Sequence, residues 1–126
     1  MANVLIVDDD ADIRTILHMA LEEEGYTIAE ANNGRVALEL LRTAPERWVV
    51  LTDSYMPEMD GETMLRHIAT DQAVAPRHAY IFMTARALTT PPPFNDVIEA
   101  LHASIVTKPF EIVTILDAVA DSAKRL

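Results

Sequence analysis

Val4-Leu5-Ile6-Val7-Asp8-Asp9-Asp10 carries four apolar residues, three of them β-branched, straight into three consecutive carboxylates. So short and wholly apolar a run reads as a strand buried on both faces, the pattern of a parallel sheet. Three further runs repeat it: Val49 to Leu51, Tyr80 to Met83, and Ile105-Val106, each followed by a stretch of helical period. Alternating strands and amphipathic helices are the signature of βαβ units. Tyr26-Thr27-Ile28-Ala29-Glu30 is more polar and alternates, as expected of an edge strand lying outside the first. The count is five strands and five helices, and right-handed crossovers place helices on both faces of the sheet.

The helices are read from their apolar spacing. The first carries Ile13, Ile16, Leu17, Ala20 and Leu21 and stops at Gly25; the second begins near Asn33, carries Val36, Ala37, Leu40 and Leu41, and is closed by Pro45. A third starts at about Glu62 with Met64, Leu65, Ile68 and Ala69. The last starts at Glu111 with Ile112, Ile115, Leu116, Val119, Ala120 and Ala123. Pro91-Pro92-Pro93 push their preceding residues out of helical conformation, so the fourth helix begins close to Pro93 and runs two to three turns over Phe94, Val97, Ile98 and Leu101. The seven residues 87–93 read as a stiffened loop.

With 126 residues, half of them apolar, the chain is expected to form one domain over residues 1–126. Ten basic against 20 acidic residues give a net charge of −10, which argues against a nucleic-acid-binding face or a polybasic membrane anchor. Zero cysteines exclude disulfides, iron–sulfur clusters and thiol catalysis. No apolar run approaches membrane-spanning length, and a cytoplasmic location is expected. Only two residues are lysines, Lys108 and Lys124.

In an open parallel sheet, sites form beyond the carboxyl ends of the strands. Here those ends carry Asp8-Asp9-Asp10, Asp53, Thr84 and Lys108. If the first and third strands are neighbours, Asp8, Asp9 and Asp53 converge at one mouth, where their repulsion calls for a divalent cation, and a few carboxylates with retained waters suit Mg²⁺. An aspartate can attack a phosphoryl group, while Thr84 hydrogen-bonds one phosphoryl oxygen and Lys108 balances the charge of another. Taken singly, each residue has an ordinary role: Asp10 and Asp12 favour the helix dipole, Asp60-Gly61 is a turn and helix start, Thr84 a cap and Lys108 a surface charge. Four strand ends with mutually compatible chemistry weigh against coincidence.

Val4 to Asp10, Asp53-Ser54-Tyr55-Met56-Pro57-Glu58-Met59-Asp60-Gly61, Thr84-Ala85 and Lys108-Pro109-Phe110, in this order, resemble the motif set of response-regulator receiver domains of two-component signalling. The resemblance implies a flavodoxin-like α/β fold with a five-stranded parallel sheet of order 2-1-3-4-5. It implies Asp53 as phospho-acceptor, with Thr84 and Lys108 assisting. Asp9 and Asp53 would ligate Mg²⁺ directly, Asp8 through water, and Tyr55 through its backbone carbonyl; a cis Lys108–Pro109 bond is also implied. The implied activity is self-catalysed phosphorylation from the phosphohistidine of a sensor histidine kinase or phosphotransfer protein, then slow autodephosphorylation. Output would go to a downstream protein target by contact, since the length leaves no room for an output domain. Tyr55 and Arg86 fall where receivers tune hydrolysis.

Two departures stand out. Ile105 replaces the Tyr or Phe usual three residues before the lysine and is read as a buried strand residue, and Leu101-His102-Ala103-Ser104 replaces the usual Gly-Ala-Asp turn. His18, His67, His78 and His102 are read as surface residues, and Met56, Met59, Met64 and Met83 as core fillers. Two other readings compete. A Mg²⁺-dependent phosphohydrolase with Asp8 as nucleophile and Asp10 as acid/base fits poorly, because the chain has no length for a substrate cap. A passive interaction module leaves the acid, threonine and lysine set unexplained.

Overall fold

The computed structural model describes residues 2–85 and 92–126. Five strands, β1 (Asn3–Val7), β2 (Thr27–Ala31), β3 (Trp48–Asp53), β4 (Ala79–Thr84) and β5 (Ser104–Thr107), form one sheet of order β2-β1-β3-β4-β5. Every pairing is parallel, with Val7 opposite Thr52, Asp53 opposite Met83 and Thr84 opposite Thr107. All five strands therefore end at the same edge, and the loops that leave them share one rim.

The helices are α1 (Ala11–Glu23), α2 (Gly34–Thr43), α3 (Gly61–Ala69), α4 (Pro92–Leu101) and α5 (Ile112–Ala123), with a 3₁₀ turn at Ala75–Arg77. Strand alternation sends Leu5, Val7, Val50, Tyr80 and Phe82 to one face, where they pack against Ala37, Leu41, Met64, Ile68, Phe94 and Leu101 of α2, α3 and α4. Val4, Ile6, Val49, Leu51, Ile81 and Met83 go to the other, against Leu17 and Leu21 of α1 and Ile115 and Val119 of α5. Central strands buried on both faces explain why β1, β3 and β4 read as continuous apolar runs.

Three helices start on side-chain caps, of which Asn33 is the one read as a cap from the sequence. Asp10 accepts from the amides of Asp12 and Ile13, Asn33 from Val36, and Asp60 from Thr63, each worth about 1 kcal/mol. The fourth helix begins at Pro92, next to its expected start, and its ten residues span about 15 Å. Its stripe of Phe94, Val97, Ile98 and Leu101 is buried as read. The part of the proline loop before Pro92, from Ala87 to Pro91, lies outside the described residues, as does Arg86. No helix among the described residues is long and apolar enough to cross a membrane.

Several single-residue readings need correction. Ile16 is 53% exposed, because the inward line of α1 runs through Leu17 and Leu21 and Ile16 sits to its side. Val36 is likewise exposed, and Leu38, absent from the expected stripe, is buried instead. On α5, Ala120 is exposed and Ser122 buried. Ile105 is 42% exposed: β5 is an edge strand whose alternation turns Val106 inward and Ile105 to the rim. His78 is buried rather than exposed; its Nδ1 accepts the backbone amide of Trp48 at 3.0 Å, which ties the segment before β4 to the start of β3.

Candidate functional site

The shared carboxyl-end rim gathers the residues read from the strand ends. Asp8 follows β1, Asp53 ends β3, Thr84 ends β4 and Lys108 follows β5. Asp8, Asp53 and Thr84 are buried while Asp9 is exposed. A cleft of about 420 Å³ opens here, lined by Asp8, Asp9, Asp10, Ile13, Asp53, Ser54, Tyr55, Ala85 and Lys108.

Asp53 is held from two sides. Its Oδ1 accepts the Ser54 amide at 2.8 Å and the Lys108 ammonium at 2.6 Å. Lys108 is itself placed by its backbone, whose amide donates to the Thr84 carbonyl at 2.8 Å and so ties the ends of β4 and β5 together. The Lys108–Pro109 bond is cis, as the resemblance implies.

Asp8, Asp9 and Asp53 each bring one carboxylate oxygen within 4.8 Å of the others. Asp8 pays for that position: burial first, and then the charges of Asp53 and Asp9, push its carboxyl up to about 6, against the opposing pull of the Asp10 amide and the Lys108 charge. Its Oδ2 is buried without a hydrogen-bond partner. A cluster of hard oxygen donors with an unsatisfied buried carboxylate oxygen is chemically suited to a small divalent cation.

The loop between β3 and α3 is braced from beneath. Gly61 passes so close that an added Cβ would lie 2.0 Å from the Asp53 carbonyl oxygen, and its amide donates to the Ser54 carbonyl at 3.0 Å. Glu58, at a φ of 66°, turns its carboxylate to Arg35 at 3.0 Å and Asn33 at 3.3 Å. The Met59 carbonyl accepts the Gly34 amide at 2.8 Å. Tyr55 is 78% exposed, at the mouth of the cleft.

Asp8, Asp9, Asp53, Tyr55, Thr84 and Lys108 thus share this rim, while Arg86 lies outside the described residues. Sequence reading missed the bracing: the close approach at Gly61, the Glu58 contacts, and Arg14, whose Nη1 donates to the Asp8 carbonyl at 2.7 Å. Gly61 had a signal in its place beside the Asp60 cap. Arg14, five residues past Asp9 on a helix, had none.

The family model described as the response regulator receiver domain matches residues 4–120. The chain is 36% identical over 112 residues to the response regulator receiver protein CpdR of Brucella abortus, covering 89% of this chain and 88% of that protein. It is 37% identical over 113 residues to the regulatory protein AtoC of Escherichia coli, covering 86% of this chain but 22% of AtoC. Among solved structures, chemotaxis protein CheY4 of Vibrio cholerae superposes with a TM-score of 0.79 at 28% identity, covering 97% of this chain and 98% of that one. A Francisella response regulator receiver domain reaches 0.83 at 27% identity, covering 99% and 98%. With the family pattern spanning β1 to α5, and the strand order and rim chemistry in agreement, the chain belongs to the response-regulator receiver domains.

Proposed function

We propose that the chain is a phosphorylation switch in which Asp53 accepts a phosphoryl group from the phosphohistidine of a sensor histidine kinase or phosphotransfer protein. The observation that carries this reading is the Asp53–Lys108 pair at 2.6 Å beside the Asp8–Asp9–Asp53 cluster. An oxygen of the Asp53 carboxylate forms the new bond to phosphorus, the donor's phosphorus–nitrogen bond breaks, and a proton from solvent goes to the departing imidazole. Lys108, freed from its contact with the carboxylate, follows the negative charge onto the phosphoryl oxygens. Thr84, at the adjacent strand end, donates its hydroxyl to another phosphoryl oxygen. Water later cleaves the acyl phosphate and returns Asp53 to a carboxylate.

Mg²⁺ would be held by Asp8, Asp9, Asp53 and the Tyr55 backbone carbonyl, and it supplies charge neutralisation for the transferred oxygens. The signal then passes to a downstream protein by surface contact. A hydrolase with Asp8 as nucleophile would leave the Asp53–Lys108 pair without a role.

The test is incubation with a small phosphodonor, with Mg²⁺ or with EDTA, read as intact mass. A single phosphoryl adduct is expected with Mg²⁺ only, and none for Asp53→Asn. An adduct that persists in the variant would refute the assignment.

A further inference from the structure

Asp8 is fixed at three of its four polar atoms. Its amide donates to the Ala31 carbonyl at 3.1 Å, its Oδ1 accepts the Asp10 amide at 3.0 Å, and its carbonyl accepts Arg14 Nη1 at 2.7 Å. Only Oδ2 is left without a partner, buried beside the other carboxylates. Two of the three ties are local to the loop and the sheet. The third reaches back from α1, and it is the one made by a side chain that is itself held.

That hold is Glu30, on edge strand β2. Its Oε1 accepts Arg14 Nε at 3.0 Å, and its Oε2 pairs with His18 Nδ1 at 2.6 Å. Arg14 is four-fifths buried along this path and Glu30 about two-thirds. The guanidinium thus uses one edge on a backbone carbonyl and another on a carboxylate that is not part of the cluster. Its charge is answered by Glu30, so it steers Asp8 without offering the cluster a competing counter-ion.

We propose that Arg14 is a positioning residue for cation binding: anchored by Glu30, it fixes the turn that carries Asp8 and Asp9 so that their carboxylates are set for Mg²⁺ before it arrives. This rests on the reading that Asp8, Asp9 and Asp53 hold the ion. Partners that orient metal ligands commonly contribute ten- to a hundred-fold in affinity. The fork geometry matters as well as the charge, because a lysine ammonium cannot span the Asp8 carbonyl and Glu30 as a guanidinium does.

The experiment is a calorimetric Mg²⁺ titration of the unphosphorylated chain as wild type, Arg14→Met and Arg14→Lys, with each protein's melting temperature taken in EDTA. Both variants are expected to bind Mg²⁺ about tenfold more weakly, with melting in EDTA lowered in Arg14→Met, which loses both charged hydrogen bonds, and less so in Arg14→Lys, and their rate of Asp53 labelling should recover at saturating Mg²⁺. Arg14→Lys, which keeps the charge and stem, carries the test if Arg14→Met folds poorly. Wild-type affinity in the variants would overturn the proposal, as would an affinity loss accompanied by an equal fall in EDTA stability in both. A wild-type chain that takes no Mg²⁺ removes the metal reading itself, and that result is visible before any substitution is compared.

Discussion

Lys108 places its ammonium 2.6 Å from Oδ1 of Asp53, the same oxygen that accepts the Ser54 amide. The pair joins the carboxyl ends of β3 and β5 across β4 and is the one lysine contact that answers the three clustered carboxylates among the described residues. Both partners are largely shielded, the lysine at 29% and the aspartate at 11% side-chain exposure, so the contact is more than a solvated surface pair. Lys108→Met should lower the rate of phosphorylation by a small phosphodonor on the order of a hundredfold, because charge on the transferred oxygens goes unanswered. It should also cost about 2 kcal/mol of stability to urea in EDTA, as expected for losing a hydrogen bond between charged groups. Wild-type labelling kinetics in the variant would show that the lysine is only structural.

Gly61 has no room for a methyl group. A Cβ there would sit 2.0 Å from the Asp53 carbonyl oxygen, a backbone atom that cannot swing aside. Gly61→Ala must displace either the start of α3 or Asp53 itself, at a cost of about 1–3 kcal/mol. Loss of labelling at Asp53 should accompany the lowered urea midpoint. A variant with wild-type stability and labelling would mean that the loop is far looser than these distances imply.

His78 supplies a pH dependence remote from the rim. Burial, and then the charge of Arg77, lower it from 6.5 to about 4, with Arg47 adding to the effect and the Leu41 carbonyl opposing it. Its Nδ1 must also keep its lone pair to accept the Trp48 amide. A group whose folded pKa is depressed leaves the unfolded chain with more bound protons between the two values, so stability falls as pH drops through that window. His78 should contribute its full effect above about pH 6.5 and lose it progressively toward pH 4, a total of about 3 kcal/mol by linkage. Urea unfolding of wild type and His78→Asn from pH 7 to pH 4.5 checks this: the wild-type slope should be the steeper, and parallel slopes would contradict it.

Ile105 stands where receivers usually carry an aromatic ring, and it already lies at the rim of edge strand β5, 42% exposed. A short aliphatic side chain there offers no ring to turn inward. The chemical shifts of the Ile105 methyl groups should change little when a phosphate mimic is added, while those of residues around Asp53 move. Large shifts at Ile105 would contradict this.

Much of this architecture was legible because strand burial and strand chemistry are both local. Val4 to Val7 announces a two-sided buried strand, and Asp8, Asp53, Thr84 and Lys108 announce a site by following such strands. The cap at Asn33 and the helix start at Asp60-Gly61 were equally plain. What escaped was set by distant neighbours. Ile16 and Leu17 are both apolar, and only the placement of α1 against the sheet decides that Leu17 turns inward. His78 carries no sequence mark of burial, because its partner is a backbone amide 30 residues away. Arg14 looks like any helical arginine until β2 brings Glu30 alongside.

The central claim is that Asp53, rather than a neighbouring carboxylate, takes the phosphoryl group. Peptide mass spectrometry of the adduct formed with a small phosphodonor and Mg²⁺ locates it directly. A single modification on Asp53 is expected; a modification on Asp8, or none on any carboxylate of the rim, would contradict the assignment.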